Sequence, residues 1–459
     1  MKKTAGKRTA YSNRNGHDTP ARPALAGRLI AGGHLATGPL ATGPLSTGRL
    51  RSGLLVLGLL ATALWGTTLL TSPSEARSRE GRPSAPPSGA SPEVQQDGYG
   101  IEATLAGTGK IGLALQTDGF IGNNFVSRDP SFEFPLDSAE EHLVRAGLWI
   151  GGLRTETGEL VDADTLVSTA TIDGYGGSDA TGSEYRPDQE GFLIRSTLKN
   201  HQYWDPVNAR SYEDIICEYI DYGWGPTQAD DHEPLNVRVI QKIYQFDFEP
   251  YDALKIMVVD IVNENELALL FDLYVGLYAE LASGWKDGHD EWPPSGWYER
   301  KDIAYVDSLR LVTEHHFQLD GGNCPSWAGY ALLGTKPDSI DTKTVSFNWY
   351  NWDPSGELPN TPDVDVERYA MLSNGSRDAT SAVEAPNNDP VTLLSVGPLG
   401  TTPVTDPSGQ EHWLFEPGDT VSVAFAWVGG QPRPDTSPPR TAEEDIAFHA
   451  DKAQEAYDL

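Results

Sequence analysis

Residues 254–278 read LKIMVVDIVNENELALLFDLYVGLY, and this stretch decides the fold class. Two runs in it, 254–262 and 269–278, are dense in aliphatic, β-branched and aromatic residues, a composition that favours buried strands. A third run, TVSVAFAWV at 420–428, alternates with a period of two. That period is typical of a β-strand, because successive side chains point to opposite faces of the sheet.

Similar runs lie on the N-terminal side of this stretch. Residues 142–153 (HLVRAGLWIGGL) form an apolar run broken by glycines, and residues 235–248 (LNVRVIQKIYQFDF) alternate apolar and polar side chains. Short strands separated by Gly, Pro, Asn and Asp are typical of sandwiches. We therefore predict an all-β fold, a large or tandem β-sandwich, with two subdomains if the chain divides near residue 230.

Helical patterns are few. Residues 441–458 (TAEEDIAFHADKAQEAYD) predict a short C-terminal helix, because Thr441 and Glu444 have the spacing of a capping box. Apolar side chains of this segment also recur on one helical face. Residues 212–219 are predicted to form a short second helix.

The charge distribution divides the chain into two parts. The sequence has 459 residues, with 34 basic and 66 acidic side chains. Residues 1–82 hold 12 basic and 3 acidic side chains, and the remainder holds 22 and 63, a net charge of −41. So acidic a body argues against nucleic acid and against anionic membrane surfaces as partners. It fits a soluble protein, or one that binds divalent cations at clustered carboxylates.

The N-terminal region predicts export. Residues 1–52 form a basic leader that is expected to be disordered, and residues 53–71 (GLLVLGLLATALWGTTLLT) form one apolar helix. That helix is either the core of a signal peptide, with a cleavage site before Arg77, or a single membrane anchor. Residues 72–97 are a Pro/Ser/Gly-rich linker. In both cases the body, residues 98–459, is expected outside the cytoplasm, secreted or on the cell surface, because the positive charges stay inside.

Two Trp-rich segments are candidate ligand sites. They read WKDGHDEWPPSGW at 285–297 and FNWYNWD at 347–353. Aromatic faces beside carboxylates and amides suit sugar rings, although tryptophans in a sandwich also serve as core or loop packing. No spacing marks a catalytic acid and base, so an enzyme is the less favoured interpretation. The candidate ligand-binding residues are Trp285, Trp292, Trp297, Trp349 and Trp352.

The first of these segments also contains clustered acidic residues. Asp287, Asp290 and Glu291 predict a calcium site, since calcium takes oxygen ligands in a flexible geometry, and the alternative is an exposed acidic loop. No other cofactor is predicted.

Two further polar features leave alternatives open. Cys217 and Cys324 are the two cysteines of the chain, and they form either a disulfide or two buried free thiols. Glu314, His315 and His316 are expected to be partly exposed polar residues of a strand.

Several segments resemble uncharacterised exported bacterial β-sandwich proteins. The strand end Ile261-Val-Asn263 followed by LYVGLY at 273–278 is similar to their "TN" and "YVGLYADWD" segments. The sequence GPL at 397–399, followed by EPGD at 416–419 and FAWV at 425–428, resembles their "GPF", "PGDS" and "FA-V" elements. Further similar segments are IGNNF at 121–125, GLWIG at 147–151 and AQEAYD at 453–458. The resemblance implies a secreted or surface protein. It does not point to any particular activity.

These observations favour an exported protein with a binding or structural role, whose partner is an extracellular protein or a polysaccharide. One alternative is a carbohydrate-binding module or a glycoside-active enzyme that uses the Trp-rich loops. Another is an accessory domain to a secreted peptidase, because the proteins it resembles often accompany such enzymes or carry C-terminal sorting modules.

Overall fold

The computed structural model describes residues 100–459, apart from 126, 172–182, 224–231, 295–300, 317–323, 352–361, 363 and 380–388. The predicted leader, apolar helix and linker lie outside the described residues. Among the helices that are described, none combines the length and apolarity that crossing a membrane requires.

Strands dominate the described residues, and they form two antiparallel sheets. In chain order they are β1 (Ala103–Ala106), β2 (Gly112–Gln116), β3 (Ile121–Gly122), β4 (Phe132–Glu133), β5 (Glu140–Thr155), β6 (Asp164–Thr169), β7 (Arg186–Pro187), β8 (Leu193–Arg195), β9 (Glu213–Ile220), β10 (Val237–Gln245), β11 (Leu254–Asn263), β12 (Leu269–Trp285), β13 (Lys301–Val306), β14 (Leu311–His316), β15 (Trp327–Lys336), β16 (Thr344–Asn351), β17 (Pro390–Leu399), β18 (Thr402–Thr405), β19 (Glu411–Phe415) and β20 (Thr420–Gly430). The α-helices are α1 (Asp365–Ser373) and α2 (Ala442–Asp458).

The first sheet has the strand order β1-β2-β3-β5-β12-β17-β16, with β4, β6, β18 and β19 paired alongside. Its centre is the long pair β5 and β12, in which Glu280 lies opposite Arg145 and Trp285 lies opposite Glu140. The C-terminal half of β12 therefore brings polar residues next to the start of β5.

The second sheet has the order β13-β14-β15-β20-β11-β10-β9-β7, with β8 paired to β9. The last strand of the chain, β20, lies in its middle, between β15 and β11. Strands from both sides of residue 230 pair with each other in both sheets, as β5 does with β12 and β9 with β10.

The main core lies between the sheets. Strand β10 shows how the sequence produces it, because buried and partly exposed residues alternate along its whole length. Across the core, the fully buried ring of Trp427 in β20 packs edge-on against Phe132 in β4, with 5.8 Å between ring centroids. The two-sheet architecture confirms the predicted all-β sandwich with a short C-terminal helix.

Each helix covers the outer face of one sheet. Helix α1 packs on the first sheet and α2 on the second, over β11, β15 and β20. Glycines in the strands permit the close approach. A Cβ atom at Gly276 would lie 2.7 Å from the Leu372 side chain of α1, and one at Gly334 would lie 2.5 Å from the Tyr457 ring of α2. Strands β11 and β20 are therefore buried on both faces, which explains their nearly continuous apolar sequences.

The helix predictions have different outcomes. Helix α2 is confirmed, and both hydrogen bonds of the capping box between Thr441 and Glu444 are present. The helix predicted at 212–219 is wrong, because these residues lie mostly in β9, which pairs with β10 along its full length. The isoleucines Ile215 and Ile216 suit a buried strand, and pairing outweighs a weak helical preference. Helix α1 was not predicted.

Candidate functional site

The first Trp-rich segment begins at the end of β12. Trp285 is half-buried, and the half-buried ring of Trp292 packs on Phe125 with 5.1 Å between centroids. The guanidinium of Arg128 holds the backbone of this segment by donating hydrogen bonds to the carbonyl oxygens of Lys286, His289 and Asp290. Trp297 lies outside the described residues.

Residues 347–351 of the second Trp-rich segment lie in β16. Trp349 is partly buried and packs against the main core, and its indole N–H donates to the carbonyl oxygen of Ala379 over 2.8 Å. Trp352 lies outside the described residues. The ligand-binding role of these tryptophans stays a prediction.

The carboxylates predicted to bind calcium are exposed. Asp287, Asp290 and Glu291 all face solvent in the segment after β12. Within the described part of the chain, the three ligand-type side chains that do converge are different ones, Glu140, His142 and Cys324. The calcium site stays a prediction.

The two cysteines are buried free thiols and do not form a disulfide. Cys217 lies in β9, and Cys324 lies just before β15. In the second sheet β20, β11 and β10 lie between β15 and β9, so these two strands are four inter-strand steps of about 4.8 Å, or about 19 Å, apart. A disulfide requires Cα atoms within about 7 Å of each other.

A chain of polar side chains, buried except for the half-buried Glu140, connects the two sheets beside the start of β5 and the end of β12. We call it the polar chain; it consists of Glu140, Ser326, His142, Ser283 and Glu314. His142 Nδ1 lies 2.6 Å from Ser283 Oγ, and Nε2 lies 3.0 Å from Ser326 Oγ. The hydroxyl of Ser283 is hydrogen-bonded to Glu314, and that of Ser326 to Glu140.

Burial decides the protonation of this chain. His142 is fully buried, which lowers its pKa to about 4, so that its ring is neutral at pH 7. Glu314 is also fully buried, and burial raises the pKa of its carboxyl to about 7 although Ser283 and Lys301 favour the charged form. The prediction that Glu314 is partly exposed is therefore wrong. Its side chain points into the sandwich from β14, whereas His315 and His316 are half-buried.

Four further ionisable groups extend the polar chain. Lys301 Nζ lies 2.5 Å from Asp389 Oδ1, and Arg145 Nε lies 3.0 Å from Glu280 Oε2. Burial, together with the nearby charge of Asp389, raises the pKa of Glu280. Together with Glu314, these groups comprise three carboxyls and two cations. The buried charges therefore balance when one of the three carboxyls is protonated.

Next to this group, Lys286 forms a separate buried ion-pair cluster. Its ammonium lies 2.8 Å from Glu133 Oε2 and 3.0 Å from Glu141 Oε2, and all three side chains are at most 6% exposed. Burial raises the pKa of Glu141 to about 6 despite the ammonium and two backbone N–H donors. Lys286 therefore connects the start of β5 to the Trp-rich segment.

A surface cleft lies beside the C-terminal part of α2. Its cavity volume is about 610 Å³, and its floor is the outer face of β10 and β11. Among the residues that the structure describes, five aromatic rings and two cationic side chains line it, and no Asp or Glu side chain does. These residues are Tyr244, Phe246, Phe248, Tyr251, Tyr457, Arg210 and Lys336.

The rings of the cleft differ in exposure. Phe248 is 43% exposed, and its ring packs on Tyr251 with 5.4 Å between centroids. The Tyr251 hydroxyl donates to Glu455 of α2 over 3.2 Å. The cleft thus combines a fixed aromatic wall with an accessible ring, an arrangement found in small-molecule sites.

Sequence reasoning missed both sites. The alternation FDF at 246–248 predicts a strand. No pattern in the neighbouring residues indicates that α2 ends beside it. A signal for the polar chain was present in EEHLVR at 140–145, because charged residues inside an otherwise apolar strand require buried partners.

Comparisons with known proteins add little to these observations. Neither a protein-family model nor a curated protein sequence matches the chain. A crystal structure of a "putative aldose 1-epimerase" from Escherichia coli K12 is similar over 72% of this chain and 100% of that chain, with 11% sequence identity and a TM-score of 0.31. A TM-score this low supports no inference about activity, so the fold assignment rests on the strand pairing.

Proposed function

We propose that this chain is an exported, extracellular binding protein that takes a carboxylated carbohydrate into the cleft beside α2. The observation that carries the proposal is the described lining of the cleft, which has five aromatic rings together with Arg210 and Lys336. Aromatic faces pack against the apolar C–H faces of sugar rings, and guanidinium and ammonium groups pair with carboxylates.

The negative charge of the body opposes an acidic ligand, and part of it is local, because Glu455 accepts a hydrogen bond from the lining residue Tyr251 and Asp260 lies near the lining residue Tyr244. At physiological ionic strength charges are screened over about 8 Å, so distant carboxylates contribute little at the cleft. Arg210 and Lys336 would be in direct contact with the ligand, where screening is weakest. Their local attraction is therefore expected to outweigh the net repulsion.

The cleft is tested by calorimetric titration of the full-length protein with an oligomer of galacturonic acid and with a neutral glucose oligomer of equal length. We expect the acidic oligomer to bind more tightly. Phe248→Ala should weaken binding of the acidic oligomer roughly 3- to 10-fold through lost ring packing. Arg210→Gln should weaken it about 3- to 5-fold and leave the neutral oligomer unaffected.

Tyr203→Ala is the matched control for Phe248→Ala, because Tyr203 is also 43% exposed and does not line the cleft. Equal effects of these two variants, or equal binding of the two oligomers, would contradict the proposal.

Export is supported by the basic leader, the apolar segment 53–71 and the small residues Ser74 and Ala76 before Arg77. We expect the mature protein from its native host to begin near Arg77. N-terminal sequencing of secreted and membrane fractions checks this. An intact leader in the membrane fraction would indicate an anchor, and an intact leader in the cytoplasm would contradict export.

A further inference from the structure

The hydrogen bonds of His142 determine which of its ring nitrogens carries the proton. Nε2 lies 2.9 Å from the carbonyl oxygen of Phe134, and a carbonyl oxygen can only accept a hydrogen bond. The ring is fully buried and neutral at pH 7, so it carries one proton. Nε2 is therefore the protonated nitrogen, and Nδ1 has a lone pair.

This tautomer fixes the direction of the next two hydrogen bonds. Nδ1 lies 2.6 Å from Ser283 Oγ, a contact that is favourable only when the Ser283 hydroxyl donates to the lone pair. A hydroxyl has one proton, so Ser283 has none left for its contact with the Glu314 carboxyl. Glu314 is therefore the donor in that contact, which requires a protonated carboxyl. Its other oxygen accepts from the backbone N–H of Ser283 over 3.2 Å.

On the other side of the ring, the hydrogen bonds continue to the surface. Ser326 Oγ lies 3.0 Å from Nε2, so the Nε2–H is shared between this oxygen and the Phe134 carbonyl. The Ser326 hydroxyl donates to Glu140, and its backbone N–H donates to the same carboxylate oxygen over 3.2 Å. Glu140 is the half-buried end of the polar chain. All the donors thus point from the core toward Glu140.

We propose that the polar chain is a proton path between solvent and Glu314, and that His142 changes its tautomer whenever Glu314 gains or loses a proton. On deprotonation, the Glu314 proton moves to Ser283 Oγ and the Ser283 proton moves to Nδ1. The Nε2 proton moves to Ser326 Oγ, and the Ser326 proton moves to Glu140, which releases it to water. His142 gains one proton and loses one, so its ring stays neutral. Uptake follows the same steps in reverse.

The path lets a buried carboxyl follow the pH of the solvent while the sandwich stays closed. Without such a path, a proton reaches a fully buried group only when the structure opens locally. Each deprotonation of Glu314 adds a negative charge to the buried group that contains the Lys301–Asp389 and Arg145–Glu280 ion pairs. The charge balance of this group therefore changes with the pH of the solvent.

Other ionisable side chains surround the path. Lys301 favours the ionised form of Glu314, and Asp302 opposes it. Cys324 stays a thiol, because burial raises its pKa. Those in β5, β12 and β13, and in the segments after β12, before β15 and before β17, are Arg145, Glu280, Lys286, Lys301, Asp302, Cys324 and Asp389. Titration of Glu314 must therefore be identified by substituting Glu314 itself.

The tautomer switch is tested by nitrogen-15 NMR of the full-length protein labelled at histidine, with the His142 signals identified by their loss in His142→Gln. We expect a neutral ring with Nε2–H at pH 5 and with Nδ1–H at pH 9. In Glu314→Gln the amide group donates to Ser283 as the protonated carboxyl does, so Nε2–H should persist at pH 9. A wild-type ring that keeps one tautomer throughout, or that becomes charged, overturns the proposal.

The path is tested by the rate at which Glu314 loses its proton after a rapid pH jump. Infrared absorption of the protonated carboxyl, a band absent from Glu314→Gln, measures this rate. We expect Ser326→Ala to slow the loss at least about tenfold, because the proton must then wait for local opening. The midpoint of the titration should not change, because Ser326 does not contact Glu314.

Ser395→Ala is the matched control, because Ser395 is also fully buried and donates to the Leu372 carbonyl oxygen over 2.7 Å, outside the path. This variant should lose the Glu314 proton at the wild-type rate. A wild-type rate in Ser326→Ala, or equal slowing in both variants, contradicts the path. Circular dichroism of each variant shows that a changed rate does not reflect a lost fold.

Discussion

Replacing Lys286 by Met is expected to destabilise the folded protein by about 3–5 kcal/mol at pH 8, because it leaves two buried carboxylates without a cation. The ammonium of Lys286 lies 2.8 Å from Glu133 and 3.0 Å from Glu141, and the Glu141 side chain is completely buried. Met fills a similar volume, so the loss reflects charge rather than a cavity.

The same substitution should be less damaging at pH 5. Burial already raises the pKa of Glu141 to about 6, and removal of the ammonium raises it further. A group whose folded-state pKa is raised favours folding at low pH, and this contribution is lost as the pH rises through that pKa. Urea denaturation of Lys286→Met and the wild-type protein at pH 5 and pH 8 measures the difference.

Lys452→Met serves as the control, because Lys452 is paired with Glu455 on the surface of α2. Surface ion pairs contribute little to stability, so this variant should behave like the wild-type protein at both pH values. If Lys286→Met is no less stable than Lys452→Met at pH 8, the buried pair does not stabilise the fold.

Replacing Glu314 by Gln is expected to stabilise the protein at pH 8 and to change its stability little at pH 5. The folded-state pKa of Glu314 is about 7, against about 4.5 for an unburied glutamate. Its protonated form is therefore favoured by folding below about pH 4.5, and this contribution disappears as the pH rises through 7. A shift of this size corresponds to about 3 kcal/mol at most, and we expect a gain of about 1–3 kcal/mol from Gln at pH 8.

Melting temperatures of the wild-type and Glu314→Gln proteins between pH 4 and pH 9, measured without added metal, check this expectation. The two curves should meet near pH 5 and separate toward pH 8. The exposed Glu190 gives a control substitution, Glu190→Gln, whose curve should follow the wild type. Parallel curves for Glu314→Gln would mean that Glu314 is ionised throughout, with Lys301 as its counter-ion.

The strands could be predicted because the burial of a strand determines the pattern of apolar and polar residues along it. The runs at 254–262, 269–278 and 420–428 became β11, β12 and β20, since residues buried on one or both faces leave a local pattern. The helix at 212–219 was wrong because its short apolar run fits a buried strand equally well. Helix α1 could not be predicted because it has few apolar side chains and because its packing depends on Gly276 in a distant strand.

The sites could not be predicted in the same way, because distant segments create them. His142 meets Ser283 through the β5–β12 register and meets Ser326 across the sandwich. No local pattern encodes that pairing. The Trp-rich segments were conspicuous in composition, but composition does not reveal whether a ring packs on its own protein, as Trp292 does on Phe125.

The position of β20 in the middle of the second sheet has a consequence for how the chain matures. Strand β20 lies between β15 and β11, so the two parts of the second sheet, β13-β14-β15 and β11-β10-β9-β7, join only after residues 420–430 have been synthesised. Pairings between residues so far apart in the chain form slowly.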